Sequence, residues 1–544
     1  MSNTFETAIS YLPAALHKLG FQTLRPGQDR VVFGLFAGKS VFCILPTGQG
    51  KSACYIIPTI CCQYRTLIFS PLISLMQDQV EQLWKLGLSA GQLSSGQTQA
   101  ENSATIAQWM SGKLQFLLVA PERLDNADFA LAMAHVRPDL VVVDEAHCIS
   151  QWSDSFRPHY SRLGTFVDQV KPKSMLLLTA TAPKDVEEDV RRVMHAEDAE
   201  RVLYYPQRRN LLLSSKNYVG DHDILNFVNE VPGATIVYCS TVKKTEELYA
   251  TLNHHCKGRA LIYNGTMKPD ERATNQTMFM NGDVRVMFAT KAFGLGINKA
   301  DIRGVIHRDI PGSVDDLAQE MGRAGRDGKE SRCRLFFDPK TYDTQQWFIQ
   351  TAYPEKQTIV SVFRAIQSSM DQDGICKVTI DNLARHAGIH SAYCDSAIGI
   401  LASSGVIDRN FDAGKTATAK LKKLHLDEEC QALMNTVERV GVKNGDGFDF
   451  NLDTLIEVSG IKQKRATDML KALDKEGYLT YIPPFRGKPT RITGKLEQVD
   501  FVRIKEKHTA SLSKLSRVIS YHDTPDPKKH DFLQAYFGVK DSDT

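Results

Sequence analysis

The chain has 544 residues, 42% of them apolar and 24% charged, with a formal net charge of +3. At about 150 residues per domain, this length predicts roughly three or four domains of ordinary globular composition. No apolar run reaches the ~18–20 residues that cross a bilayer, and residues 1–10 lack the basic start of a secretory signal, so a cytoplasmic setting without a membrane partner is expected.

From the N-terminus, the first stretch with chemical content is Leu24-Arg25-Pro26-Gly27-Gln28. A glutamine amide donates and accepts at once, which suits the edge of adenine, so Arg25 and Gln28 are candidate nucleotide contacts. An apolar run at 41–45 then reads as a buried strand and delivers Leu45-Pro46-Thr47-Gly48-Gln49-Gly50-Lys51-Ser52. Gly48 and Gly50 let the backbone approach a phosphate. The amides of a following helix would point at it. Lys51 supplies charge for β/γ-phosphates and the Ser52 hydroxyl can ligate Mg²⁺, with Thr47 inside the same cradle. The strict phosphate-loop pattern has glycine where this chain has Leu45.

Residues 66–70 and 117–120 read as further buried strands. The hydroxyls after the first could hold a backbone phosphate, or Ser74 could simply cap a helix. Residues 140–143 form an apolar strand ending in Asp144-Glu145-Ala146-His147, at the strand end where open α/β sheets place ligands. Asp144 can hold Mg²⁺, and Glu145 can orient or deprotonate an attacking water. The next loop crowds Trp152, Phe156 and Tyr160 around Arg157. Such planes stack on unpaired bases; a packed loop over a small core is the alternative. Residues 176–182 add a strand ending in Thr179 and Thr181.

A second alternation follows. Residues 234–239, 261–265 and 284–289 read as strands and 243–252 as a helix, which predicts another parallel sheet. A glycine-bearing turn at 290–298 offers Gly296 as a nucleotide contact. Gln319 leads into Glu320-Met321-Gly322-Arg323-Ala324-Gly325-Arg326. Arg323 and Arg326, three apart, would share a helix face, and an arginine presented across a cleft to a phosphate loop stabilises charge developing on the γ-phosphate.

In this order the motifs resemble the RecQ type of superfamily 2 DNA helicases, over residues 10–340. The resemblance implies two RecA-like lobes at 1–205 and 206–345, with ATP and Mg²⁺ in the cleft and 3′–5′ unwinding of single-stranded and forked DNA. Carried over, Gln28 contacts adenine, Lys51 and Ser52 serve phosphate and Mg²⁺, and Asp144 and Glu145 serve metal and water. His147 links hydrolysis to DNA, and Trp152, Phe156 and Arg157 form a DNA-sensing loop. Arg326 is the arginine finger, with Gln319 and Arg323 in support. In a bacterium the expected place is the nucleoid. The alternative is a DNA-stimulated remodelling ATPase with protein partners in a repair or defence complex.

The expected fold class is α/β: two parallel-sheet lobes followed by a mostly helical region with winged-helix-like repeats. The evidence for repeats is internal. Residues 380–407 recur at 452–479 with a constant offset of 72 residues, each copy reading helix, glycine turn, helix, glycine, strand, a helix-turn-helix plan with a wing. The expected boundaries are 355–430 and 431–500. The second helix of copy two carries Lys462, Lys464, Arg465 and Lys471, whereas 390–404 in copy one has no Lys or Arg. Phosphate binding needs cations, so copy two is the expected DNA reader. Residues 479–482 and 490–493 are expected to pair as the wing, with Phe485 or Arg486 at the fork. The tail, 501–544, resembles the helical part of the family's zinc module without its cysteines. No zinc is expected there; two helices docked on the lobes would replace it. The eleven cysteines, with no Cys-x-x-Cys pair, read as reduced buried thiols.

Overall fold

The computed structural model describes residues 2–46, 48–71, 73–150, 158–257, 259–294, 297, 299–409, 416–421, 428–444, 447–482 and 487–539. Its packing separates two units, Met1–Gln346 with Ala510–Thr544, and Trp347–Thr509.

In the first unit the opening strands are β1 (Val41–Ile44), β2 (Thr66–Phe69), β3 (Ala90–Leu93), β4 (Phe116–Val119), β5 (Leu140–Val143), β6 (Ser174–Thr179) and β7 (Glu200–Leu203). Among the described residues they form one seven-stranded sheet in the order β3-β4-β2-β5-β6-β1-β7. Every pairing is parallel. Parallel sheets are covered on both faces, and the strands show it. Phe42, Phe69, Val143 and Leu177 enter one apolar layer, while Cys43, Ile68, Val142 and Leu176 enter the other. The order sets β5, β6 and β1 side by side, with Val143 opposite Leu177 and Ile44 opposite Thr179. The loops leaving β5, β6 and β1 therefore open at one edge.

The second sheet runs β10-β11-β9-β12-β13-β8. Its strands are β8 (Leu211–Asn217), β9 (Ala234–Tyr238), β10 (Ala260–Tyr263), β11 (Val286–Ala289), β12 (Ile302–His307) and β13 (Ser331–Phe337). It too is parallel throughout.

The tail contributes the end of the helix Phe501–Asp523 and the helix Lys529–Tyr536. The junction between them is built on a fully buried ammonium. Lys529 Nζ donates to the carbonyls of Tyr521 and Thr524 at 2.8 Å, with Asp526 Oδ1 at 3.7 Å. Burial holds its pKa below the usual lysine value. One cation thus satisfies carbonyls that a helix end leaves open. Lys529→Met would orphan them in an apolar setting, and a loss of about 2–3 kcal/mol is expected in equilibrium urea unfolding.

In the second unit the repeat is visible in the backbone. Ile380–Ala387 and Leu452–Ser459 are capped by Thr379 and Asn451 and stopped by left-handed glycines, Gly388 and Gly460; Ser391–Ser403 and Gln463–Lys475 follow. The wing differs from expectation. Strands β14 (Ile375–Cys376), β15 (Ile407–Asp408), β16 (Thr416–Leu421), β17 (Val442–Asn444), β18 (Gly447–Asn451), β19 (Leu479–Ile482) and β20 (Thr490–Ile492) form two antiparallel sheets, β14-β20-β15 and β17-β18-β16-β19. Residues 479–482 pair with β16 and 490–492 with β14 and β15, so these two stretches do not form a hairpin with each other. The reason lies in the cores. Leu479 and Tyr481 belong to the apolar cluster of copy two, while Ile492 packs on that of copy one, where Arg491 clamps Asp408 at 2.6 Å. The strand pairing crosses residue 430, and the sheet of copy one closes only after copy two has been inserted into it.

Among the described residues no helix is long and apolar enough to cross a membrane.

Candidate active site

The site is assembled at the shared edge of β1, β5 and β6. Leu45, where the phosphate-loop pattern has glycine, is fully buried and belongs to the sheet's core, so the deviation falls in packing before the loop turns outward. Gly50 takes φ +74°, and a side-chain carbon there would lie 2.7 Å from Gln28 Nε2. The loop and Gln28 are built against each other. Gln28, 1% exposed, donates to the carbonyls of Gln49 at 2.8 Å and Gly50 at 3.1 Å and accepts from Arg25 N at 3.0 Å. Arg25 Nη1 reaches Gly48 O at 3.1 Å. Gln28 thus braces the loop here, with both of its amide N–H bonds engaged, while Oε1 accepts from Arg25 N and retains a second lone pair.

Lys51 Nζ lies 3.6 Å from Glu145 Oε1. Glu145 holds a left-handed φ of +50°, a strained backbone of the kind kept at functional sites. Its N–H donates to Asp144 Oδ1 at 3.0 Å, and Gln79 Nε2 approaches Asp144 Oδ2 at 3.5 Å. The two adjacent carboxyls are driven apart. Burial and the neighbouring Glu145 push Asp144 up to about 6. Burial would raise Glu145 too, but Lys51, His147 and Arg323 outweigh it and hold it below the usual carboxylate range. Unequal pKa values in a pair assign unequal roles. Glu145 thus stays ionised where Asp144 still holds a proton, which suits Glu145 to accept a proton and Asp144 to exchange its own for a cation. The KM for Mg·ATP is therefore expected to rise about tenfold per pH unit below about pH 6, where Asp144 is neutral, and to be flat above it; Asp144→Asn removes the slope.

His147 Nδ1 lies 2.9 Å from Thr179 Oγ1 and 3.4 Å from Glu145 Oε2. Thr179 gives its own proton to Thr181 O at 2.7 Å, so His147 is the donor in that bond, which assigns its proton to Nδ1. Burial lowers its pKa and keeps it neutral.

The second lobe closes the site from above. The helix Val314–Met321 stops at Gly322, so Arg323 and Arg326 lie on the turn beyond it and not on a shared helical face. Arg208 stabilises that turn, its guanidinium donating to the carbonyls of Gly322, Ala324 and Gly325 at 2.7–2.9 Å. Arg323 is buried and donates to Gly294 O. Arg326 donates to Ile297 O at 2.9 Å. A side-chain carbon on Gly48 would lie 3.4 Å from Arg326 Cγ, so the arginine stem crosses the phosphate loop of the other lobe. Burial and the neighbouring Arg323 and Arg208 lower its pKa to about 10, which leaves it cationic at neutral pH. Gln319 lines a small cavity at the lobe junction with Pro46, Thr181 and Leu533.

These residues fit a magnesium triphosphate. Among the described residues the buried Arg323 Nε and Glu145 Oε2 have no hydrogen-bond partner, and the glycines at 48 and 50 keep side-chain carbons out of the loop. Arg25, Gln28, Gly48, Gly50, Lys51, Ser52, Asp144, Glu145, His147, Gln319, Arg323 and Arg326 all belong to this unit. Thr47, Trp152, Phe156, Arg157, Gly296, Phe485 and Arg486 lie outside the described residues. Lys462, Lys464, Arg465 and Lys471 are exposed in the second unit. Sequence reasoning missed Arg208, whose Arg-Arg-Asn context gives no signal of the turn it grips.

The DEAD/DEAH box helicase family model matches residues 25–189, and the helicase conserved C-terminal domain model matches 221–328. The ATP-dependent DNA helicase RecQ of Bacillus subtilis is 37% identical over 346 residues, 63% of this chain and 58% of that protein. RecQ of Pasteurella multocida is 36% identical over 62% of this chain and 53% of its own length. The chain thus spans between half and three fifths of these two relatives. The probable ATP-dependent DNA helicase RecS of B. subtilis is 34% identical, over 65% of this chain and 72% of that protein. Among solved structures, Mycobacterium smegmatis helicase Lhr bound to ssDNA and AMP-PNP shares the fold, with a TM-score of 0.50 at 17% identity, covering 86% of this chain and 73% of that one. With the lobes, the motif order and a relative matched over most of its length in agreement, the chain belongs to the RecQ-type helicases of superfamily 2.

Proposed function

We propose that the chain is an ATP-dependent DNA helicase that moves 3′ to 5′ on single-stranded DNA and opens duplex ahead of it. The observation that carries this reading is the passage of Arg326 from one lobe over Gly48 of the other, which makes lobe closure and contact with the triphosphate one event. ATP phosphates entering the loop compete with Glu145 for Lys51, and Glu145, released from that pair, accepts a proton from the attacking water. Arg326 meets charge developing on the transferred phosphoryl group. Mg²⁺, held by Ser52, Asp144 and the phosphates, would neutralise charge on the phosphate oxygens. His147, bonded through Thr179 to the β6 end and facing Glu145, couples the state of the site to DNA. The exposed Lys462, Lys464, Arg465 and Lys471 support duplex phosphate contact by copy two.

Strand displacement tests this directly. A duplex with a 3′ single-stranded tail is expected to be unwound with ATP and one with a 5′ tail left intact. DNA-stimulated hydrolysis without displacement on any tailed or forked substrate would replace this reading with a remodelling ATPase in a repair or defence complex.

A further inference from the structure

The segment beyond residue 520 lies outside both family models, which end by residue 328, yet it touches both lobes and the linker between them. Val539 packs against the core of the first lobe. Gln534 Nε2 donates to Tyr205 O at 3.1 Å, and the Phe537 ring sits 4.6 Å from that of Tyr205 in the linker. On the second lobe, Tyr536 OH donates to Asp315 Oδ2 at 2.7 Å, in the first turn of the helix Val314–Met321. Tyr521 OH reaches Met321 Sδ at 3.6 Å at that helix's other end. Both ends of the helix that leads into Arg323 and Arg326 are thus fastened to the tail.

We propose that residues 521–539 are an interlobe strap that sets how the helix Val314–Met321, and through it Arg326, is placed over the phosphate loop, with Tyr536 as a positioning residue. The inference rests on the reading of the cleft as an ATP hydrolysis site. The geometry favours placement over mere packing, because the strap holds the helix from outside both sheets while resting on the opposite lobe. The junction cavity shows the same relation: Leu533 shares it with Pro46 of the phosphate loop and Gln319 of the helix.

The test is a double-mutant cycle. Tyr536→Phe is expected to lower kcat for ATP at saturating single-stranded DNA about five- to tenfold, with an unchanged unfolding midpoint. Phe537→Leu, which keeps apolar bulk but loses the ring on Tyr205, is expected to shift kcat in the same direction. In an Arg326→Ala background, Tyr536→Phe is expected to have no further effect. An unchanged kcat in Tyr536→Phe, or an effect that multiplies with that of Arg326→Ala, overturns the strap. Lys51→Ala distinguishes the two levels. Hydrolysis surviving it removes the cleft reading; hydrolysis lost in it but untouched by Tyr536→Phe removes only the strap.

Discussion

Arg326→Ala is expected to lower DNA-stimulated ATP turnover by about 10³-fold, the effect of an arginine whose hold on the γ-phosphate strengthens in the transition state. The structure makes this the largest single-site effect because, among the described residues, the neighbouring guanidiniums Arg323 and Arg208 are already engaged within their own lobe. Arg323, a neighbouring guanidinium, is buried and donates to Gly294 O in its own lobe. Arg208 is engaged with the turn carbonyls. Single-stranded DNA affinity, read by fluorescence anisotropy, should remain near wild type, since Arg326 faces the phosphate loop. Steady-state phosphate release at saturating DNA measures the loss.

Lys51→Ala is expected to cost about 10²–10³-fold in turnover, for two reasons that add. It removes the cation aimed at the phosphates, and it removes the charge 3.6 Å from Glu145 that helps hold that carboxyl ionised. The pH profile of the residual kcat/KM, which reports the free enzyme in which Lys51 faces Glu145, should therefore move to higher pH as Glu145 loses that charge. Lys51→Arg keeps the charge near Glu145 and should leave the profile in place while still losing rate. DNA binding without nucleotide should be preserved in both.

The same contrast shows what the sequence makes legible. Lys51, Asp144 and Glu145 can be read because each follows a continuous apolar run, and fully buried parallel strands have that signature. The edge strand β3, Ala-Gly-Gln-Leu, and the edge strand β8, whose second half is Ser-Ser-Lys-Asn, lack it and are not visible as strands. The placement of Arg326 over Gly48 depends on how two lobes meet, which no local pattern encodes; only the spacing of motifs suggests it. The repeat in the second unit is legible from its glycines, Gly388 and Gly460, because left-handed helix stops demand them. Which strand closes which sheet is not, since 479–482 and 490–492 are equally strand-like and only the two separate cores decide between partners. The roles of Lys529, Tyr536 and Arg208 come wholly from tertiary contacts.

The most direct measurement is calorimetric titration of ADP and of a non-hydrolysable ATP analogue into wild type and Arg326→Ala. If both lobes grip one triphosphate, the wild type prefers the analogue over ADP, and the variant loses about tenfold of that preference while its ADP affinity is unchanged. An identical preference in the two proteins would mean that Arg326 never meets the γ-phosphate, and that the lobes do not close on a shared nucleotide.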